Sequence, residues 1–334
     1  MVVIQIALGG ITRLTGSGLS ITEWNVVTGA LPPLNNAQWV AEFNKYQQTP
    51  QFHLLNSDFN LSDFKSIFFW EWFHRLWGRL LGVVFFIGFV YFLATKKFNE
   101  NMIKPFAILF LLGGFQGLIG WIMVKSGFVG DAVYVAPTKL AVHFVFALFL
   151  LCYTFWFALQ LLVPANERTY NTTIKNLTIF VLCLLVLQLG YGALMAGHKA
   201  ATYAATWPTI NGSFLSPMGL YQPSQGLYNF IGNKIMVHFM HRGLAYILLL
   251  FIIFYTIKAY RFKGSSLFEK TKWLPPAVVL VQVLLGIGAV LFSVKIQPNR
   301  WGVFEWTAQI HQLVGMCLLL TMVWMLFITK RGKA

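Results

Sequence analysis

Long apolar runs, separated by shorter polar segments, dominate the pattern of hydrophobic and polar positions along the chain. A helix needs about 20 mainly apolar residues to cross a hydrocarbon core of about 30 Å. The pattern therefore predicts an all-α polytopic membrane protein, because only helices and closed barrels satisfy their backbone groups in lipid. Seven complete spans are predicted, over residues 67–94, 105–124, 139–163, 176–197, 235–257, 274–294 and 305–329.

The chain also begins with an apolar segment, Met1 to Ile11. At a rise of about 1.5 Å per residue, this segment covers roughly half a bilayer. No Lys or Arg precedes it and no small-residue cleavage site follows it, so a signal peptide fits poorly. We interpret it as the outer half of an additional helix whose beginning lies outside this sequence. The expected fold is thus an eight-helix bundle with a truncated first helix.

Composition excludes a soluble protein and explains the positive charge. Of the 334 residues, 57% are hydrophobic and 10% are charged, against about 25% charged in soluble domains. The net charge of +15 would suggest nucleic acid in a soluble protein, but 13 of the 25 Lys and Arg residues lie in the loops on one side. By the positive-inside rule that side is cytoplasmic. The expected partner is the lipid bilayer, with no nucleic acid.

Two kinds of helix alternate along the chain. One kind carries a glutamine followed by glycines, and the helix after it carries a histidine near its outer end. The offsets between matching residues are 167, 166 and 168, which predicts a tandem duplication with halves at 1–163 and 164–334. The histidines are His74, His143, His241 and His311, and the glutamines are Gln5, Gln116, Gln188 and Gln282.

The histidines are the candidate ligand residues. Each lies four to seven residues past a charged residue at the outer helix end, which corresponds to a depth of about 6–11 Å. A lone membrane histidine is more often a packing residue, but imidazoles on facing helices are a common means of holding haem iron. Zinc or copper would require Cys, Met or carboxylate clusters, and none recurs in both halves. We therefore expect one haem-type macrocycle in each half.

The two halves differ beside their first histidine. Glu71 precedes His74 by three residues, which places both on one helix face, whereas the matching residue before His241 is His238. Glu71 either binds water or Arg75, or handles protons or stabilises charge beside a reacting substrate. The second interpretation makes the first half the reactive site and the second half the holder of a permanent cofactor.

Three arginines lie close to the expected rings. Arg75 follows His74, Arg79 lies one turn further, and Arg242 follows His241. Their guanidinium groups are either partners for haem propionates or side chains that extend to the outer interface.

Several long motifs closely resemble haem A synthases, and the resemblance runs over nearly the whole chain. The outer-loop cysteine pair of one branch of that family is absent, so the chain resembles the branch without it. The motifs are GGITRLTGSGLSITEWNVVTGALPPLN (9–35), AEFNKYQQTP (41–50), EWFHRLWGRLLG (71–82), QGLIGWIMVKSG (116–127), GALMAGHKAATYAATWPTING (192–212), VHFMHRGLAY (237–246) and IHQLVG (310–315).

The resemblance implies an inner-membrane enzyme that oxidises the C8 methyl group of haem O to a formyl group, making haem A for terminal oxidases. It implies that His241 and His311 bind one haem b, while His74, His143 and Glu71 serve the substrate haem. A haem O synthase and an unidentified electron donor are the implied partners, and a homo-oligomer is left open.

Two other functions compete with this one. A cytochrome b-like quinol oxidoreductase would hold two permanent bis-histidine haems. A transporter would require broken helices and polar groups near the midplane. His238 competes with His241 as a ligand, whereas His53 and His198 lie in loops and receive no role. The stretch from Gln38 to Tyr46 is expected to form an outer-surface helix, either packed on the protein or covering the substrate.

Overall fold

The computed structural model describes residues 1–24, 28–98, 100–215, 217–297 and 300–330. In this part of the chain the secondary structure is helical, without a named strand, and the all-α fold class is confirmed. The α-helices are α1 (Val2–Leu14), α2 (Asn36–Gln47), α3 (Pro50–Leu55), α4 (Leu61–Ala94), α5 (Glu100–Lys125), α6 (Pro137–Leu162), α7 (Thr172–Gly197), α8 (Asn229–Gly232), α9 (Lys234–Tyr260), α10 (Ser266–Thr271), α11 (Leu274–Phe292) and α12 (Val303–Thr329).

Seven of the described helices are long and apolar enough to cross a membrane, and they coincide with the seven predicted spans. The largest difference is at α4, which begins at Leu61 rather than at residue 67. A capping box causes this extension: the Asn60 side chain accepts from the backbone of Ser62 and Asp63, and Asp63 accepts from the Asn60 backbone. The apolar start of the chain is helical as expected, as α1.

The chain divides into two compact units, residues 1–150 and 151–334. In the first unit α1 packs on α4, and in the second α7 packs on α9 and α12 while α11 packs on α12. The boundary between the units falls inside α6. The division of the repeat at 163/164 stays a prediction.

An aromatic cluster fixes α2 and α3 over the outer end of α4. The rings of Tyr46 and Phe64 stack with centroids 5.3 Å apart, and Trp39 meets Phe68 edge-on at 5.0 Å. Tyr46 and Phe64 are fully buried. The Tyr46 hydroxyl donates to Gln51 Oε1, and burial raises the pKa of Tyr46 to about 12. The segment predicted as an outer-surface helix is therefore packed on protein.

Replacing Phe64 with alanine is expected to destabilise the outer part of the first unit. Phe-to-Ala changes in a packed core cost about 3–5 kcal/mol because a cavity remains. Tryptophan fluorescence during thermal unfolding measures this loss, since Trp39 packs in the cluster. Phe86, which lies on the same helix but is 53% exposed, is the matched control. Equal losses of stability in Phe64→Ala and Phe86→Ala would contradict the assignment of Phe64 to a packed aromatic cluster.

Candidate functional site

Each of the four histidines rests on a glycine of the Gln-Gly helix that precedes it in the sequence. A Cβ atom added at Gly120 or Gly286 would lie only 2.9 Å from Cε1 of His143 or His311. Each glycine follows its glutamine by four residues, so both lie on one face of the helix. The glycine positions that approach a histidine ring are Gly9 for His74, Gly120 for His143, Gly192 for His241 and Gly286 for His311.

A methyl group at Gly120 is expected to displace the imidazole of His143. The added Cβ would be closer to the ring than side chains tolerate, whereas at Gly117 on the same helix it would meet no atom within 4 Å. We expect Gly120→Ala to lower the affinity for added haem about tenfold or more, as changes around metal ligands do. Titration monitored by haem absorbance measures the effect. A Gly117→Ala variant with the same loss would show that helix stability is responsible.

The glutamines contact the histidines as well, which sequence reasoning missed. Gln5 Nε2 donates to the backbone oxygen of His74 at 3.2 Å and lies 3.4 Å from both ring nitrogens. Gln116 repeats this geometry at His143, with 3.1 Å to the backbone oxygen and 3.2 Å to Nδ1. The recurring Gln-x-x-x-Gly spacing was the sequence signal for these contacts.

The two histidines of the second unit face each other. The ring centroids of His241 and His311 are 6.4 Å apart, and the ring planes are nearly perpendicular at 81°. His311 Nδ1 lies 3.1 Å from the backbone oxygen of Gln282. A carbonyl oxygen can only accept, so this contact requires the proton on Nδ1 and leaves a lone pair on Nε2. That tautomer is the one that binds a metal through Nε2.

Glu71 is buried and fully engaged by protein groups. Its Oε2 accepts from the Ser20 hydroxyl at 2.8 Å and from the Ile21 backbone at 2.9 Å, and its Oε1 accepts from Arg75 at 2.6 Å. Glu71 as a whole residue is 2% exposed. One interpretation of the sequence was that Glu71 binds Arg75, and this ion pair is present in the structure. The contacts to Ser20 and Ile21 carry no local sequence signal, because they join residues about 50 positions apart.

Arg75 ties the loop after α1 to α4. Beyond Glu71, its guanidinium donates to the backbone oxygens of Ile21 and Glu23, and it lies over the ring of Trp24 at 4.7 Å. The arginine next to the histidine thus holds a loop of the protein itself.

In the second unit, Arg242 ties the loop after α7 to α9. It donates to the backbone oxygens of Thr206 and Thr209 and, through Nε, to His238 Nε2 at 3.1 Å. His238 therefore occupies the repeat position of Glu71 and likewise pairs with the arginine four residues later. This engagement favours His241 over His238 as a ligand.

The remaining candidates lie elsewhere. Arg79 is half-buried one turn beyond Arg75 on α4. The prediction that His53 lies in a loop was wrong, since it is an exposed residue of the short helix α3. His198 directly follows α7, with Nε2 2.7 Å from the Ile231 oxygen. Among the described residues, no three His, Cys, Asp or Glu side chains cluster as metal ligands.

The three cysteines of the chain, Cys152, Cys183 and Cys317, all lie on membrane-spanning helices. Cys183 and Cys317 are exposed on their helices, whereas Cys152 is half-buried. The apolar pattern placed all three within spans, but a span that is apolar all round gives no signal for its buried face.

Comparison with known proteins finds one family and many relatives. The COX15-CtaA family, described as cytochrome oxidase assembly protein, matches residues 1–323. The chain is similar to the heme A synthase of Flavobacterium johnsoniae, with 37% identity over 97% of this chain and 93% of that protein. It is also similar to the heme A synthase of Paracoccus denitrificans, with 43% identity over 88% of this chain and 78% of that protein. No solved structure matches the chain.

Proposed function

We propose that this chain, which belongs to the COX15-CtaA family of cytochrome oxidase assembly proteins, is a haem A synthase. The reaction is oxidation of the C8 methyl group of haem O to a formyl group. The observation that carries the proposal is the fourfold unit of a histidine seated on a glycine, at matching positions of a repeat. The reaction itself is inferred from the relatives, which are named heme A synthases.

The second half is suited to one resident haem b held by His241 and His311. Imidazole nitrogen binds a first-row metal such as zinc at about 2.0–2.1 Å. One iron that was held by both imidazoles would therefore require the two rings to lie within several ångströms of each other. The 6.4 Å between His241 and His311 supports this ligand pair. The Nδ1 contact of His311 supports it further, because Nε2 is left with its lone pair.

The first half is the proposed substrate site, with His74 and His143 beside haem O. A methyl C–H bond is unreactive, and haem iron supplies the redox chemistry that its oxidation requires when the cofactor is bound. The protein itself would position the substrate and provide charged groups beside it. Glu71 and Arg75 hold the segment from Ser20 to Glu23 against α4 next to His74, and this ion pair has no counterpart in the second half, where His238 stands.

Glu71 is the proposed proton-handling or charge-stabilising group of the substrate site. Loss of water from the hydrated aldehyde reached after the second oxidation requires a proton to move. Its hydrogen bonds to Ser20, Ile21 and Arg75 support charge stabilisation in particular, because they hold a carboxylate in one position.

Arg75, Arg79 and Arg242 are the proposed propionate partners. Arg75 and Arg242 already donate to backbone oxygens of the outer loops. A propionate at either guanidinium would therefore share the donors with a loop, so substrate binding and loop position would be coupled.

The protein is a multi-pass membrane protein, and we place its histidine-bearing helix ends toward the periplasm. The excess of Lys and Arg in the opposite loops supports this orientation. The proposed partners are a haem O synthase, which supplies the substrate, and an electron donor.

Co-expression with a haem O synthase, followed by pigment extraction, tests the proposed reaction. Haem A is expected only in cells that contain both proteins, and haem O alone in cells without this chain. A second arm measures resident haem in the purified protein. Two stable haems per chain with no haem A would overturn the proposal in favour of a dihaem electron-transfer protein. Purified protein without haem absorbance would overturn it in favour of a transporter.

A further inference from the structure

Two cations at the basic end of the second unit carry an inference that goes beyond the proposed function. Trp156 of α6 and Phe327 of α12 meet edge-on, with ring centroids 5.0 Å apart. The Arg168 guanidinium lies over the Phe327 ring at 4.5 Å, and the Lys330 ammonium lies over the Trp156 ring at 5.3 Å. We propose that Arg168 and Lys330 form a binding site for the phosphate headgroup of an anionic phospholipid.

The backbone on either side of Arg168 is fixed by hydrogen bonds. Glu167 Oε2 accepts from the Leu267 backbone at 2.9 Å, and the Thr169 backbone donates to the oxygen of Ile328 at 2.8 Å. Glu167 is thus directed toward Leu267, and it forms no salt bridge with Arg168 in the described part of the chain. Arg168 is therefore held beside the end of α12 while its charge stays without an acidic partner there.

The guanidinium of Arg168 has donors without acceptors. Its Nε is buried and has no hydrogen-bond partner among the described residues, and a buried donor without an acceptor costs free energy. The residue as a whole is half-buried, so part of the side chain remains open to a ligand. Phosphate oxygens accept from guanidinium groups in a strong, often bidentate geometry. The chemistry that fits this position is therefore an anion with several acceptor oxygens.

The site lies at the level where lipid headgroups are expected. Arg168 comes shortly after the end of α6, and Lys330 directly follows α12. Tryptophan is enriched at membrane–water interfaces, and Trp156 lies near the end of α6. Basic pockets between membrane helices are typical sites for anionic lipid headgroups. A membrane lipid therefore fits this position better than a free anion, because its acyl chains would lie in the adjoining bilayer.

A purely structural role for the two cations is the competing explanation. The last carbonyl groups of α12 carry partial negative charge, and cations near a helix C-terminus stabilise the helix. This role predicts a loss of stability that does not depend on the lipid. The proposed site instead predicts an affinity for lipid that depends on the charge of the headgroup.

Binding of dioleoylphosphatidylglycerol to the purified protein in neutral detergent tests the proposal, with dioleoylphosphatidylcholine as the lipid without net charge. Native mass spectrometry measures both dissociation constants. We expect the unaltered protein to prefer phosphatidylglycerol, and Arg168→Gln to weaken its binding about tenfold or more, because charge-assisted hydrogen bonds are lost. Lys330→Gln is expected to weaken it about fivefold. Lys263→Gln removes the same charge from an exposed position of the loop between α9 and α10, and this control is expected to leave the preference unchanged.

The comparison with Lys263→Gln separates a built site from general attraction to a basic surface. Equal weakening by Arg168→Gln and Lys263→Gln would overturn the proposal, and so would equal affinity of the unaltered protein for the two lipids. Displacement of the lipid by an equal concentration of inorganic phosphate would overturn it in favour of a free-anion site. Circular dichroism shows whether Arg168→Gln is folded. If it is not, Lys330→Gln, at an exposed position, provides the same comparison.

Discussion

Replacing His311 with alanine is expected to remove the resident haem from the purified protein and to abolish haem A formation. The imidazole is the proposed iron ligand, and its Nδ1 is held by the Gln282 backbone, so alanine removes both the ligand and the contact that orients it. We expect the haem absorbance per chain to fall more than tenfold. Absorbance of the reduced pigment, normalised to protein, measures the loss.

His53 is the matched control for this substitution. It is an exposed histidine on α3, and His53→Ala is expected to keep full haem content. His143→Ala separates the two halves, because it is expected to retain the resident haem while losing affinity for an added one. Retention of resident haem by His311→Ala, or its loss in His143→Ala, would contradict the assignment of the pairs.

Replacing Glu71 with glutamine is expected to destabilise the protein and to reduce haem A formation. The change leaves Arg75 buried without its carboxylate partner; the side chains of Glu71 and Arg75 are 3% and 9% exposed. Removing one partner of a buried ion pair costs about 3–5 kcal/mol. Thermal unfolding of the purified protein measures the stability, and extraction of haem O, partly oxidised haem and haem A measures the reaction.

A second substitution at Arg75 separates the structural role of Glu71 from the chemical one. In Glu71→Gln with Arg75→Met no unpaired buried charge remains, so most of the stability is expected to return. If Glu71 acts on the substrate, haem A formation is lower in the double variant than in Arg75→Met alone, and partly oxidised haem accumulates. An unchanged pigment distribution in the single variant Glu71→Gln would rule out a role in the reaction.

The spans and the candidate ligands were predictable because their signals are local or repeated. An apolar run of the length of α12 predicts a membrane helix without any tertiary information. The histidines were found because His74 and His241 recur at equal spacing, which a packing residue would not require. The start of α4 was missed by six residues, since a capping box at Asn60 extends the helix beyond the apolar run.

The partners of the site residues were not predictable in the same manner. Whether Glu71 meets Ser20 or Arg75 meets Glu23 depends on how the outer loop folds, and these residues are separated by about 50 positions. The contact between Gln116 and His143 was not predicted, for a different reason. Its glycine spacing was visible, but the contact with His143 requires the relative rotation of two helices, which an apolar pattern around the whole helix does not reveal.

The pairing of each Gln-Gly helix with the following histidine helix has a consequence for biogenesis. Gln116 and His143 are 27 residues apart, and Gln282 and His311 are 29 apart. Contacts of such short sequence separation form early and quickly. We therefore expect the orientation of each of these two histidines to be set within its own helical hairpin, α5–α6 for His143 and α11–α12 for His311. His143 and His311 are the later histidines of the two proposed pairs, so each pair would be complete once the hairpin that carries its later histidine has formed.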